Sequence, residues 1–369
     1  MKSSEEHRKY LIVFGDSFSS VGNRGEQPKF LANWYTRFSN GPVWPEYLAH
    51  DGGFALIDFA VGGAVTNNKF IESQTGIKSQ LADVLGQVSL YKSIFRGKFS
   101  PSSLQDDVVV IEIGTNDIFP VYERVFGGSV DLINYSNETV KSTISALESL
   151  IKFGYKNFVV TDTPNLSNMP VFGKLDQKAL DSLDDYVRMT NKKLEIARAA
   201  LETKYSSEVN YIRTVSFYDI YKTIPTMDLK KLLDTTAICD PNMPLGENAI
   251  YSKRSDSDSY FCVDGAHPST RVHALLSSVF LETLRTGNVH ISKEVIEKLV
   301  NDNEIRKVGS EDNRLYNENS LKTGNLNVEE YTIETTQLHV GKLVGRKDSH
   351  ALHFKWHSAS GQFHPHFEH

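Results

Sequence analysis

Ser17 follows Gly15 and Asp16 at the end of an apolar run, Tyr10-Leu11-Ile12-Val13-Phe14. Glycine permits a tight turn and close backbone approach, so the serine hydroxyl would stand exposed where nearby amides can receive an anion. That is the position a nucleophilic hydroxyl needs. Asp16 and Ser17 would serve equally well as helix caps. A nucleophilic serine requires a base, and the base an orienting group. Asp264-Gly265-Ala266-His267-Pro268 holds both, at a three-residue offset that lets one turn point carboxylate and imidazole at each other. Asp264 would fix the His267 tautomer, leaving the other ring nitrogen for the serine proton, and Pro268 would start the next helix with its fixed φ. A solvated turn before a helix would look the same. Acyl transfer also needs donors for an oxyanion. The candidates are the backbone amides at Gly62-Gly63 and the side-chain amide of Asn116 in Gly114-Thr115-Asn116-Asp117. A tight turn and a helix cap are their plainer readings.

These residues matter only if the fold brings them together. Tyr10–Phe14 reads as a strand buried on both faces. Phe54–Ala60, Asp107–Ile113 and Asn157–Thr161 read likewise, with Val209–Val215 as a weaker fifth strand. Amphipathic stretches at Ile77–Phe95, Val130–Phe153, Leu175–Tyr205 and Thr270–Leu284 read as helices. Strand and helix alternating at this spacing predict βαβ units and a parallel sheet covered on both faces. Such sheets carry their sites at the carboxyl ends of their strands, which is where the Ser17, Gly62-Gly63 and Asn116 segments fall. The segment Asn301–Asn327 is polar and reads as loop or linker, and Glu330–Val344 alternates like a hairpin.

The chain has 369 residues, 40% hydrophobic and 23% charged, with a net charge of -6. That is globular composition, without the basic stripe a nucleic-acid binder needs. No apolar stretch approaches the ~18 residues of a membrane-spanning helix. Two cysteines, Cys239 and Cys262, exclude a disulfide scaffold but leave one bond open. The first strand is followed by neither GxGxxG nor GxxxxGK[ST], which disfavours a nucleotide or flavin module. Met1 to Lys9 is polar, and the apolar run after it is shorter than a signal core of ~7–15 residues. The expectation is a cytoplasmic protein, or a secreted one if a leader has been removed. The last 20 residues hold six of the 12 histidines (His350, His353, His357, His364, His366 and His369). His353 and His357 have metal-ligand spacing without the acidic partner of HExxH, so a packed or exposed tail is the simpler reading.

Taken together, four blocks resemble the SGNH (GDSL) hydrolases, a family of serine esterases. They are Phe14-Gly15-Asp16-Ser17, Phe59-Ala60-Val61-Gly62-Gly63-Ala64, Ile113-Gly114-Thr115-Asn116-Asp117 and Asp264-Gly265-Ala266-His267-Pro268. The resemblance implies a three-layer α/β/α flavodoxin-like fold with a parallel central sheet. It divides the chain into a polar segment (1–9), a catalytic domain (10–286) and a C-terminal extension (287–369). It implies Ser17 as nucleophile, His267 as general base and then acid, and Asp264 as its orienter. The oxyanion hole would comprise Asn116 Nδ2, the Ser17 amide and one block-two glycine amide, Gly63 in preference to Gly62. No metal and no cofactor is implied. Asn33 to Leu48 and Gln87-Val88-Ser89-Leu90-Tyr91 resemble the longer lipase-like branch, which includes phospholipases and carbohydrate acetylesterases. The expected substrate is a short acyl or acetyl ester of a carbohydrate, with longer-chain lipids as the alternative and a non-catalytic binding protein as a third reading. Trp34, Tyr35, Phe38 and Trp44 would line an acyl or sugar site or else form core. The extension would pack on the domain or mediate self-association.

Overall fold

A computed structural model describes residues 9–23, 34–99, 104–118, 121–123, 127–238, 257–333 and 335–336, with the backbone of 353–357 and 362–366. Strand β1 (Tyr10–Gly15) is buried throughout. Leu11 and Val13 enter one core and Tyr10, Ile12 and Phe14 the other, the alternation of a strand covered on both faces. It pairs in parallel with β2 (Ala55–Asp58) on one side and β3 (Val108–Glu112) on the other. β4 (Asn157–Thr161) and β5 (Tyr211–Val215) continue the sheet beyond β3, and β6 (Glu330–Tyr331) closes the β2 side. The order is β5-β4-β3-β1-β2-β6, all parallel. The mixed α/β architecture expected from the alternation is therefore present.

Helices Trp44–Gly52 and Thr270–Thr286 cover one face. Val84–Phe95 and most of Leu132–Ile151 cover the other, together with the C-terminal half of Gln177–Lys204. The helix at Thr270 starts where expected, and the other three start later than periodicity suggests, because caps decide the boundary. Asp83, Asp131 and Asp176 each accept hydrogen bonds from the first-turn amides of their helices. Pro268 does not begin a helix. Ser269 is the cap of Thr270–Thr286, and Pro268 instead forms an antiparallel bridge with Cys262.

The largest departure from the sequence reading is C-terminal. Asn301–Asn327 is not a linker: Ile305, Val308 and Leu315 are buried in the core that also holds Ile296 and Leu299 of helix Lys293–Asp302, and Leu326 packs against it. Polar contacts pin the same stretch, including Asn313 Nδ2 donating to Tyr47 Oη at 2.6 Å. Glu330–Tyr331 does not start a hairpin. It adds to β2 as a parallel edge strand, and residues 337–344 lie outside the described residues. His353–His357 and Gln362–His366 form an antiparallel pair, β7 and β8, so the first pair of histidines lies on a strand and not on a helix. His350, His369 and Cys239 lie outside the described residues. Among the described residues no helix is long and apolar enough to cross a membrane.

A buried ion pair ties the segment after β1 to this extension. Arg37 Nε donates to Glu46 Oε1 at 3.1 Å, and Arg37 Nη2 also reaches Glu330 Oε2 at 3.3 Å. The Glu46 side chain is fully buried and that of Arg37 only 8% exposed. Removing one member leaves a buried charge uncompensated, which typically costs 3–5 kcal/mol. Arg37→Met is expected to lower stability by roughly that amount, read as a lower urea midpoint at unchanged slope.

Candidate active site

The turn after β1 is built by close approach. A Cβ on Gly15 would lie 2.4 Å from the Glu112 carbonyl oxygen of β3, so no other residue fits. Gln87, buried on the helix Val84–Phe95, clamps this glycine from the side: its Oε1 accepts from the Gly15 amide and its Nε2 donates to the Gly15 carbonyl, both at 2.9 Å. The chain then turns rather than entering a helix. Ser19 and Ser20 amides donate to the Asp16 carbonyl at 3.2 and 3.0 Å, and the Phe18 amide donates to Asp16 Oδ1 at 3.1 Å. Ser17 stands on this turn, only 6% exposed.

The loop before the helix Thr270–Thr286 explains the three-residue offset. Asp264 Oδ1 accepts from the amides of Ala266 (2.8 Å) and His267 (2.7 Å), an Asx-type turn that folds the side chain over its own backbone. This leaves Asp264 Oδ2 facing His267 Nδ1 at 2.6 Å, and His267 Nε2 lies 2.7 Å from Ser17 Oγ. Residues 250 positions apart are thus joined in one hydrogen-bonded series. The Gly265 carbonyl accepts from Val171 at 2.9 Å, anchoring the loop to the segment after β4. Burial would raise the Asp264 carboxyl, but His267 and the two amides outweigh it and hold it below the usual carboxylate range.

Gly62 and Gly63 occupy the turn closed by the Ala64 amide donating to the Val61 carbonyl at 2.9 Å. Gly63 has φ +85, as the third position of such a turn demands. Gly62 is buried, and a Cβ there would meet the Phe38 ring at 2.3 Å; Gly63 is partly exposed. Asn116 is half-buried, and its Nδ2 donates to the Ala64 carbonyl at 3.0 Å. Blocks two and three therefore touch directly. Asp117 reinforces the join, accepting from the Thr66 amide at 3.0 Å and from the Thr66 hydroxyl.

Two aromatic residues flank the imidazole: Phe38, expected as site lining or core, and Phe18, which sequence reading did not single out. Phe18 and Phe38 have ring centroids 5.8 and 5.1 Å from that of His267. Of the aromatics considered as site lining, Trp44 is fully buried and stacked on Phe280 at 4.1 Å, and Trp34 stacks on Tyr316 at 5.5 Å. Tyr35 is exposed and donates to the Leu321 carbonyl. Only Phe38 of these four packs on the imidazole. Gln87 was legible as a motif, but its clamp on Gly15 is a tertiary fact. Among the described residues no cluster of histidine, cysteine and carboxylate side chains could hold a metal.

Burial pushes Asp117 up to about 7, with the Thr66 donors opposing it. A folded-state value above the ordinary 3.8 means that this group's stabilising contribution is complete below about pH 4 and is lost as pH rises through about 7. Asp117→Asn is expected to flatten the decline in melting temperature between pH 5 and pH 8. An unchanged slope would count against this account.

Residues 11–280 match the family described as GDSL-like Lipase/Acylhydrolase. The chain is similar to a thermolabile hemolysin of Vibrio parahaemolyticus, 24% identical over 74% of this chain and 63% of that protein's length. It is also similar to an acetylesterase of Hypocrea jecorina, 23% identical over 75% of this chain and 88% of the relative. Among solved structures, a lipase from a goat rumen metagenome is 15% identical, covers 76% of this chain and 97% of its own, and has a TM-score of 0.42. With most of its length matched in a family of ester hydrolases, and with the family's four blocks meeting at one end of the sheet, the chain belongs to the GDSL-like lipases and acylhydrolases.

Proposed function

We propose that this protein hydrolyses short acyl or acetyl esters by way of an acyl-enzyme, with Ser17 as nucleophile, His267 as base and then acid, and Asp264 as its orienter. The observation that carries the reading is the 2.7 Å contact between Ser17 Oγ and His267 Nε2, backed by the 2.6 Å contact of Nδ1 with Asp264. With the proton on Nδ1 held by the carboxylate, Nε2 is left to accept the serine proton as Oγ attacks the ester carbonyl. The imidazolium then protonates the departing alcohol, and water repeats the sequence on the acyl-enzyme.

The oxyanion would rest on the Ser17 amide, the Gly63 amide and Asn116. A side-chain amide has two hydrogens. One of those on Asn116 is spent on the Ala64 carbonyl, which orients the group and leaves the other for the oxyanion. The partial exposure of Gly63 beside a buried Gly62 supports Gly63 as the backbone donor. Asn116→Ala is expected to reduce kcat by about 10²–10³ with little change in KM.

The short-chain preference draws on the acetylesterase, whose length this chain nearly spans. The family's description as lipases as well as acylhydrolases favours a second reading, a lipase or phospholipase acting on longer chains. Nitrophenyl acetate, butyrate and long-chain esters separate the two. A steep fall beyond butyrate is expected, whereas a rise with chain length, sharpened at an emulsion interface, would select the lipase. Ser17→Ala run alongside should lose about 10³-fold or more of the esterase rate while keeping the wild-type melting temperature. Equal esterase rates in the two proteins would overturn the catalytic assignment of Ser17.

A further inference from the structure

The reacting residues sit directly above a pair of carboxyl groups that the ester-hydrolysis steps do not use. Asp16 precedes the nucleophile and is fully buried, and Glu112, at the end of β3, is 1% exposed. Their side chains lie within hydrogen-bonding reach of each other. Asp16 Oδ1 accepts from the Phe18 amide at 3.1 Å, and Glu112 accepts from Ser19 Oγ, onto Oε2 at 2.7 Å, and from the Asp16 amide. Ser19 is itself set by the Trp44 indole, which donates to its oxygen at 3.2 Å. Asp16 Oδ2 is buried and has no protein donor among the described residues.

Two ionised carboxylates cannot share such a site without a cation between them, because each loses its water and repels the other. The ionisable neighbours do not neutralise them. Asp117, Asp58 and Tyr221 each bear on the pair as acids, and the basic group that bears on it, through Glu112, is His267. A hydrogen bond between two carboxyl groups needs one proton, and the orphaned Asp16 oxygen is where that bond would form. Burial holds both groups above the usual carboxylate range; the Glu112 charge adds to this for Asp16, whereas hydrogen bonds from Ser19 and Asp16 oppose it for Glu112.

We infer that Asp16 and Glu112 form a carboxyl–carboxylate pair holding one proton, and that its single fixed negative charge beneath the nucleophile turn acts as a positioning element that favours the His267 imidazolium during the reaction. The inference rests on the reading of Ser17, His267 and Asp264 as the catalytic series, and it deepens that reading. Two charges would make the nucleophile turn unstable, and none would leave the imidazolium with only Asp264. One charge, delocalised over two side chains and locked by the Phe18 amide and Ser19, supplies a field that needs no reorganisation as the histidine gains its proton.

The test uses isosteric amides. In Asp16→Asn or Glu112→Gln the new NH₂ group replaces the shared proton, so the remaining carboxylate keeps the single charge. In the double variant the charge is gone. The acidic limb of kcat/KM against pH reads the protonation of the essential base. Each single variant is expected to leave that limb where the wild type has it, whatever happens to the plateau. The double variant is expected to move it to lower pH by about one unit and to lose about tenfold in the plateau. A purely structural role would not move the limb. The idea is overturned if either single variant shifts the limb as far as the double, or if the double leaves it in place. A second measurement does not depend on the double variant folding. Infrared difference spectra of wild type against each single amide at neutral pH should show loss of one protonated carboxyl band, and absence of that band from both differences also overturns the pair. Ser17→Ala keeps the two readings apart. A wild-type esterase rate in Ser17→Ala would sink the nucleophile assignment, whereas the expected loss in Ser17→Ala with an unmoved double variant would sink only the shared proton.

Discussion

The close approach of β1 to β3 at Gly15 governs the rest of the structure. With both faces of β1 buried, the strand cannot shift sideways, and the Glu112 carbonyl leaves no room for a side chain at the strand's last residue. The chain must leave the sheet at that point, and the next two residues are thrown onto its carboxyl edge. Every parallel neighbour ends at the same edge, which is why the Gly62-Gly63 turn after β2 and Asn116 after β3 lie on the edge that carries Ser17. The site is thus a consequence of parallel register before it is a consequence of any one hydrogen bond.

Holding the turns still takes an unusual amount of buried polarity. Gln87 saturates both backbone groups of Gly15, Asp117 binds the block-two turn through Thr66, and Asp264 folds onto its own loop amides. Each partner is a side chain reaching to backbone, the kind of contact that fixes a loop without extending secondary structure. The cost is a set of carboxyl groups kept from water, and burial raises Asp16, Glu112 and Asp117 together. Polar groups that are expensive to bury cluster where geometry has to be held most tightly.

The C-terminal segment contributes to the same end from the opposite direction. Its apolar residues complete the core under the helix Thr270–Thr286, and Glu330 reaches the Arg37–Glu46 pair. Arg37 lies one residue before Phe38, which packs on both Gly62 and the His267 ring. A stretch that is polar in sequence therefore stabilises the ring that flanks the imidazole.

Much of this could be read from the residues alone. The apolar runs placed five strands, and glycines marked the carboxyl ends of the first three, because burial on both faces demands continuous apolar sequence. The Asp264 to His267 spacing was sufficient for one turn to join the two side chains. Three things were not legible. Asn301–Asn327 looked like a linker because a handful of buried apolar residues among many polar ones leaves no periodicity to detect. Glu330–Tyr331 alternates like any strand, and only its partner β2 makes it a parallel edge. Gln87 and Glu112 act through contacts with residues 72 and 93 positions away, which local pattern does not encode. Sequence determined which residue types end each strand, since that depends on backbone conformation and burial along the chain. Tertiary structure alone decided which of those ends meet, because distance across a sheet is set by strand order and register.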